Sequence, residues 1–359
     1  MKYALIGCGR ISPNHIIAAR NNHLELVAFA DLNPERAKEK VIKFALFNEN
    51  IQIYSDYIQM LEKERPELVA IATESGKHAK IAMDCLDYGC NLIIEKPIAL
   101  SIADADAIIA KGYEKKVKIC ACHQNRFNQS IRKIRNAVEA GRFGKLLYGT
   151  AHIRWNRNQE YYQKADWRGT WEQDGGALMN QCIHNIDLLR WMMGDEVDTV
   201  FGMTDRMVHS YIEAEDFGVA LVRFANGSYG IIEGTTDVYP QNLEETLYLF
   251  GEKGTVKAGG QSVNRIEEWR FADCFDDPEE IKRNYSENPP DIYGFGHTKL
   301  YQNVIAAIHG EEELLADAEA GKRALELVLA IYQSAYIGVP VQFPLKNYAT
   351  IDYKGRFKK

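Results

Sequence analysis

Five near-continuous apolar runs in the first third of the chain constrain its fold more than any other feature. They are "YALIG", "LELVAFAD", "LVAIAT", "NLIIEKP" and "KICACHQN", bounded by Gly, Asp, Thr or Pro. A strand that is apolar on both faces has to be covered on both. Amphipathic stretches such as "HAKIAMDCLDYG" and "SIADADAIIAKGYEKK" lie between the runs and can supply that cover. Ser101 followed by Asp104 fits a capping box at the start of the second stretch. Alternation of this kind predicts an α/β fold with a doubly wound parallel sheet.

After about Arg126 the texture changes. "LLYGTAHIRW", "FGVALVRFANGSYGIIEG" and "TLYLFGEKGTVKAGG" read as strands of a large, mostly antiparallel open sheet, one face apolar and the other polar. Asn226-Gly227 between alternating runs is a two-residue hairpin signal. A chain of 359 residues is too long for one ordinary domain, and the change of texture divides it into 1–124 and 125–359. The last long helix, "EAGKRALELVLAIYQSAYIG", is expected to pack back on the first domain.

Bulk properties remove several classes of function. Hydrophobic content of 46% with 26% charged residues is globular. A net charge of -7 argues against nucleic acid as a partner, because phosphate neutralisation needs a basic surface. No apolar run is long enough to cross a bilayer, and "MKYALIGCGR" enters a strand pattern at once, leaving no room for a signal peptide. The seven cysteines have no framework spacing, which suggests reduced thiols and a cytoplasmic home. "CACH" (Cys120 to His123) reads better as an alternating strand than as a zinc site, since no second ligand pair accompanies it; no metal is expected.

"GCGRIS" follows the first run directly and precedes a helix. Gly7 and Gly9 permit a tight turn and the approach of a pyrophosphate to backbone N–H groups at a helix start, with Ser12 where a third glycine is usual. Asp31 closes the second run 24 residues after Gly7, where a carboxylate can bond ribose hydroxyls and repel a 2′-phosphate. NAD is therefore favoured over NADP. In "EKP", Lys96 leaves the fourth run at the sheet edge where ligands bind, and spacing alone leaves it equally a surface charge or a site residue. "DGGALMNQCIHNIDLLRWMMG" is more pointed. Steps of four and three place Asn180, His184 and Asp187 on one helical face, beneath Gly175 and Gly176, which would let something bulky approach.

The stretches "GCGRIS", "IATESGKHA", "EKPIAL", "NRFN" and "GGALMNQCIHNID" together resemble the Gfo/Idh/MocA family of nicotinamide-dependent sugar oxidoreductases, and the resemblance runs nearly end to end. It implies a Rossmann domain followed by an α+β substrate domain, with Lys96, His184 and Asn180 at the catalytic centre. Many members carry aspartate where this chain has Asn180. The cofactor contacts it implies are Gly7, Gly9, Arg10, Ile11, Asp31, Thr73, Ser75, His78, Glu95, Lys96, Asn125 on the fifth strand, Trp167 and Arg168. "IRWNRNQEYYQKADWRGTWEQDGGALMNQCIHNIDLLRWMMG" is similar to the branch that oxidises a UDP-linked N-acetylglucosaminuronic acid at its 3-hydroxyl for bacterial surface polysaccharides. Arg126, Arg157, Tyr162, Arg168, Asn180, Gln181 and His184 would then meet substrate. The resemblance further implies a homodimer or homotetramer, and in some relatives 2-oxoglutarate as the acceptor that regenerates NAD.

Oxidising a secondary alcohol requires hydride to leave carbon and a proton to leave oxygen. A lysine near ~10.4 stays protonated and donates, while an imidazole near ~6.5 accepts. His184 is thus read as base and Lys96 as donor to the developing alkoxide, although burial of the lysine could exchange the roles. Three other functions fit parts of the sequence: a dehydrogenase of another sugar, inositol or nucleotide sugar; an NAD-dependent glycosidase using transient oxidation; and a cofactor-binding regulator, which would need neither Lys96 nor His184.

Overall fold

The computed structural model describes residues 1–47, 49–194, 196–288 and 294–357. The chain divides into two compact units, the first comprising 1–99, 103–123 and 295–322, the second 100–102, 124–294 and 323–359.

In the first unit, strands β1 (Lys2–Ile6), β2 (Glu25–Ala30), β3 (Gln52–Tyr54), β4 (Leu68–Ile71), β5 (Asn91–Ile94) and β6 (Ile119–Ala121) form one sheet in the order β3-β2-β1-β4-β5-β6. Every pairing is parallel. β4 is buried along its whole length, and β1, β2 and β5 are buried beyond their first residues, as their apolar runs require. Helices α1 (Ser12–Asn21), α2 (Pro34–Lys43), α3 (Tyr57–Glu64), α4 (His78–Asp87) and α5 (Ile102–Lys115) alternate with the strands. The three-residue β3 has no apolar run of its own, so counting runs misses it. "EKP" accordingly follows the fifth strand rather than the fourth. Asn125 does not lie on a strand; it sits in a 3-10 turn, Gln124–Phe127, beyond β6. Strand order reverses between β1 and β4, and a doubly wound sheet binds ligands beyond the carboxyl ends of the strands at that point.

The second unit is built on eight strands: β7 (Leu146–Arg154), β8 (Val197–Asp205), β9 (Phe217–Phe224), β10 (Tyr229–Thr235), β11 (Glu244–Gly251), β12 (Gly254–Gly259), β13 (Arg265–Phe271) and β14 (Val341–Gln342). Their order is β13-β12-β11-β7-β10-β9-β8-β14, antiparallel except where β10 runs alongside β7. Helices α6 (Gln129–Glu139), α7 (Gln159–Gln163), α8 (Ile183–Met193) and α9 (Pro278–Asn284) belong to this unit, and α8 packs on β7, β10 and β11. The β9–β10 connection is longer than the two residues expected. Phe224 N–H bonds Ser228 O at 2.9 Å, while Asn226 Oδ1 takes the Ser228 N–H and hydroxyl at 2.9 and 2.7 Å. The asparagine side chain thus replaces a ladder bond and lengthens the loop.

A single cut after residue 124 does not describe this division. Residues 295–322, with α10 (Gly296–Ile308), rejoin the first unit, where Tyr301 Oη meets Tyr3 Oη at 2.9 Å and α10 packs on α1. It is α10 that returns, whereas α11 (Ala318–Ile337) only begins there and continues in the second unit. One sheet face of the second unit stays open and carries an apolar cross-strand row. Tyr148 is opposite Tyr229; Ile231 is opposite Leu221, which is opposite Phe201. These side chains are 39–58% exposed. Among the described residues no helix is long and apolar enough to cross a membrane.

Candidate active site

The turn after β1 is shaped for a close backbone approach. Gly7 has φ +95°, and a Cβ there would lie 2.5 Å from Ala72 O, so a side chain is excluded by both conformation and contact. A Cβ on Gly9 would meet nothing within 4 Å. Ser12 Oγ donates back to Gly9 O at 2.7 Å, which explains why serine serves where a third glycine is usual. α1 has no acidic residue in its first turn, leaving its positive end uncompensated for an anion. Asp31, at the end of β2, accepts from Cys8 N at 2.8 Å through one oxygen and from Asn33 N at 2.8 Å through the other. Arg10 is exposed and Ile11 half-buried beside it. Glycine turn, bare helix start and acid are together a set that suits the diphosphate and ribose of NAD.

Beyond β4, Thr73 and Ser75 lead into a short 3-10 turn. His78 is buried, with Nδ1 2.8 Å from Pro97 O and Nε2 3.1 Å from Thr73 O. Burial lowers its pKa, so the neutral ring donates to one carbonyl at a time and ties the β4 exit to the "EKP" turn. Glu95 is fully enclosed. His15 Nε2 lies 3.0 Å from its Oε1 and His297 Nε2 3.6 Å away, while His15 Nδ1 faces Tyr301 Oη at 2.7 Å. Burial opposes the Glu95 charge, but the hydrogen bond from His15 and the nearby His297 ring outweigh it and hold the carboxyl well below its ordinary range. Lys96 N–H donates to Glu95 Oε2 at 3.2 Å, so this anchored carboxylate fixes the backbone from which the lysine projects. Cys122 joins the group: its sulfur and the ligand-capable atoms of His15, Glu95 and His297 lie within 4.8 Å of one another. "CACH" therefore meets partners at positions 15, 95 and 297, too distant in sequence for a spacing rule to reveal.

In the second unit, the helix carrying the polar stripe opens with a π-turn over Leu178–Cys182 before α8 begins. Spacing by 3.6 residues thus fails across its first half. Asn180 donates to Asp174, upstream of the helix. His184 and Asp187, both within α8, turn to the 124–127 segment instead. The Gln124 amide nitrogen lies 3.5 Å from His184 Nε2, and Arg126 grips Asp187 through Nε at 2.8 Å and an Nη at 2.7 Å. A Cβ on Gly175 would meet Met179 and Thr350, and what Gly176 admits is a carboxylate of the chain itself. A Cβ on Gly176 (φ +93°) would sit 1.6 Å from Glu215 Oε2. Glu215 Oε1 accepts from Leu178 N at 2.7 Å and from Tyr332 Oη at 2.8 Å. Burial raises the Glu215 pKa to about 8, so this acid caps the π-turn mostly in its protonated form.

The arginines separate into two kinds. Arg154 pairs with Glu233 and Glu244, and Arg126 with Asp187 at 2–3% side-chain exposure. Among the described residues neither Arg157 nor Arg168 has a carboxylate within ion-pair distance. Arg157 stacks on Trp155 and Tyr161 at 4.7 and 5.1 Å, and Arg168 on Tyr161 and Trp167 at 4.3 and 4.5 Å. Tyr161 Oη also accepts from Arg168 and from Gln181 Nε2. Tyr162 is buried, 3.2 Å from the Thr236 hydroxyl. Reasoning from sequence missed Asp174, Glu215, Gln124 and Glu245. Glu245 is 1% exposed and accepts from Asn125 Nδ2 at 3.4 Å. Of these, only the doublet Glu215-Asp216 in an otherwise strand-like stretch offered any signal.

This is the architecture of a dinucleotide-binding oxidoreductase, and comparison with known proteins narrows the class. Residues 1–123 match the oxidoreductase family with an NAD-binding Rossmann fold, and 131–257 match the GFO/IDH/MocA C-terminal domain. The WlbA dehydrogenase from Bordetella pertussis, solved with NADH and UDP-GlcNAcA, is 38% identical with a TM-score of 0.89, covering 96% of this chain and 98% of its own. WlbA from Chromobacterium violaceum, solved with the same two ligands, is 35% identical with a TM-score of 0.86 and 96% coverage of each chain. Myo-inositol 2-dehydrogenase from Thermotoga maritima is 26% identical over 267 residues, 72% of this chain and 75% of that protein. The chain belongs to the Gfo/Idh/MocA family of NAD-dependent oxidoreductases.

Proposed function

We propose that this chain oxidises the 3-hydroxyl of a UDP-linked N-acetylglucosaminuronic acid, with NAD as hydride acceptor. The observation that carries the reading is end-to-end similarity, at 35–38% identity, to two WlbA dehydrogenases solved with NADH and UDP-GlcNAcA. The arginine chemistry supports it. A UDP-uronate carries a diphosphate and a carboxylate, and an acidic protein needs guanidinium groups placed locally to receive them. Arg157 and Arg168, stacked on aromatic rings and with no carboxylate within ion-pair distance among the described residues, suit that role.

NAD, when bound, supplies the hydride acceptor. His184 takes the hydroxyl proton, and the Lys96 ammonium stabilises the alkoxide as charge develops. Asn180 orients the reacting hydroxyl. The Glu95 network fixes the Lys96 backbone, and the π-turn cap on Glu215 fixes the start of the His184 helix. On this reading the product serves bacterial surface-polysaccharide synthesis in the cytoplasm, 2-oxoglutarate reoxidises NADH, and a second copy of the chain covers the apolar sheet face.

A second reading, oxidation of inositol or a free sugar, is favoured by the similarity to myo-inositol 2-dehydrogenase. Initial rates of NADH formation with UDP-GlcNAcA, UDP-glucuronic acid, myo-inositol and free N-acetylglucosaminuronic acid separate the two. The account predicts the highest kcat/KM with UDP-GlcNAcA. Faster turnover of myo-inositol or a free sugar would replace it with the second reading.

A further inference from the structure

Beside His184 runs a line of buried polar side chains that ends on a carboxyl group. Gln124 Nε2 lies 3.5 Å from His184 Nε2 and 3.4 Å from Asn125 Oδ1, and Asn125 Nδ2 lies 3.4 Å from Glu245 Oε1. Each contact is at the long end of the hydrogen-bond range. The line also has unused capacity. Among the described residues Gln124 Oε1, Glu245 Oε2 and Arg157 Nε are buried without a hydrogen-bond partner. Burying a polar atom without a partner destabilises a fold by about 1–3 kcal/mol, a cost that a ligand group bonded to these atoms would offset. Glu245 invites this question most, because the inward position it occupies on β11 is followed two residues later by the wholly buried Leu247. An aliphatic side chain would satisfy that packing at no electrostatic cost.

Resting on the proposed dehydrogenase reading, we infer that Glu245 is a specificity-determining residue. Its free oxygen, together with Gln124 Oε1, receives a hydrogen-bond-donating substituent of the sugar ring beside the carbon that His184 serves. Burial raises the Glu245 pKa to about 8, with the Arg157 charge acting in the opposite direction. Because Oε1 accepts from Asn125, a proton on this carboxyl sits on Oε2, so Oε2 takes the substituent's hydrogen bond in the ionised form that Arg157 favours. The ring substituent is either a hydroxyl or the N–H of an acetamido group, which share this donor chemistry.

The test uses the full-length protein loaded with NADH and two variants, Glu245→Gln and Glu245→Met. Affinities for UDP, UDP-glucuronic acid and UDP-GlcNAcA are measured by calorimetry, with melting temperature as a control. Glu245→Met should weaken the sugar-bearing ligands by about 10–100-fold, leave UDP within about threefold, and keep or raise the melting temperature. Glu245→Gln, which retains shape and hydrogen bonding, should recover most of the lost affinity. A loss confined to UDP-GlcNAcA identifies the amide as the donor, and an equal loss for both sugars identifies a hydroxyl. Unchanged sugar affinity in Glu245→Met, or equal weakening of UDP itself, overturns the inference. Should Glu245→Met fail to fold, sugar affinity in Glu245→Gln as low as that of UDP alone would overturn it equally. A wild-type protein that binds UDP no less tightly than either UDP-sugar refutes the parent reading and the assignment with it, an outcome distinct from a variant that makes no difference.

Discussion

The Arg126–Asp187 pair offers a sharp test of how the second unit holds its histidine helix. Both side chains are 2–3% exposed, the guanidinium makes two contacts of 2.8 and 2.7 Å to the carboxylate, and it stacks on Trp191 at 4.7 Å. Asp187→Ala removes the charge partner from a cation that cannot be deprotonated. Breaking a pair so buried destabilises by about 3–5 kcal/mol. For a body of this size that corresponds to a fall of about 6–20 °C in melting temperature. Urea denaturation followed by tryptophan fluorescence reads the loss directly, since Trp191 touches the guanidinium. Replacing both partners, Arg126→Met with Asp187→Leu, should restore most of the stability, because no charge is then left buried. A loss below about 1 kcal/mol in Asp187→Ala, the range of an exposed pair, would refute this reasoning.

Other perturbations follow from the same structure. Gly7→Ala, at φ +95° with a Cβ 2.5 Å from Ala72 O, should weaken NADH binding by at least about tenfold in a fluorescence titration. Glu215 has a folded pKa of about 8 against about 4.3 unfolded, so the native state holds a proton that the unfolded state releases between those values. Its contribution to unfolding free energy should therefore fall by about 1.4 kcal/mol per unit as pH rises through that window. Glu215→Gln should lack this share of the slope in denaturation series at about pH 5 and about pH 8, while Glu245 keeps its own. Leu221→Asp, at a position 58% exposed in the apolar row, should lower the oligomeric state seen by light scattering without changing the melting temperature of the subunit.

What the sequence made legible follows from the range of the interactions involved. The parallel sheet was readable because burial on both faces writes itself into consecutive apolar residues, as in Leu68–Ile71, where all four residues are buried. The glycine turn was readable because one of its requirements, the positive φ at Gly7, is local. β3 was not, since one exposed and two half-buried residues carry no pattern, and neither was the π-turn, whose extra residue per turn leaves hydropathy unchanged. Glu215, Glu245 and the His15–Glu95–His297 group escaped for another reason. Their partners lie tens to hundreds of positions away, so a buried acid looks in sequence like any surface acid. Arg126 shows the converse: a residue read as a ligand contact is bound by Asp187, 61 positions on.

The central claim is oxidation of an intact UDP-linked uronic acid, and the product itself tests it most directly. UDP-GlcNAcA incubated with the protein and NAD should yield, by mass spectrometry, a UDP-sugar lighter by two hydrogens, in step with the NADH formed. Recovery of unaltered UDP-GlcNAcA, or of cleaved sugar without accumulated NADH, would contradict it.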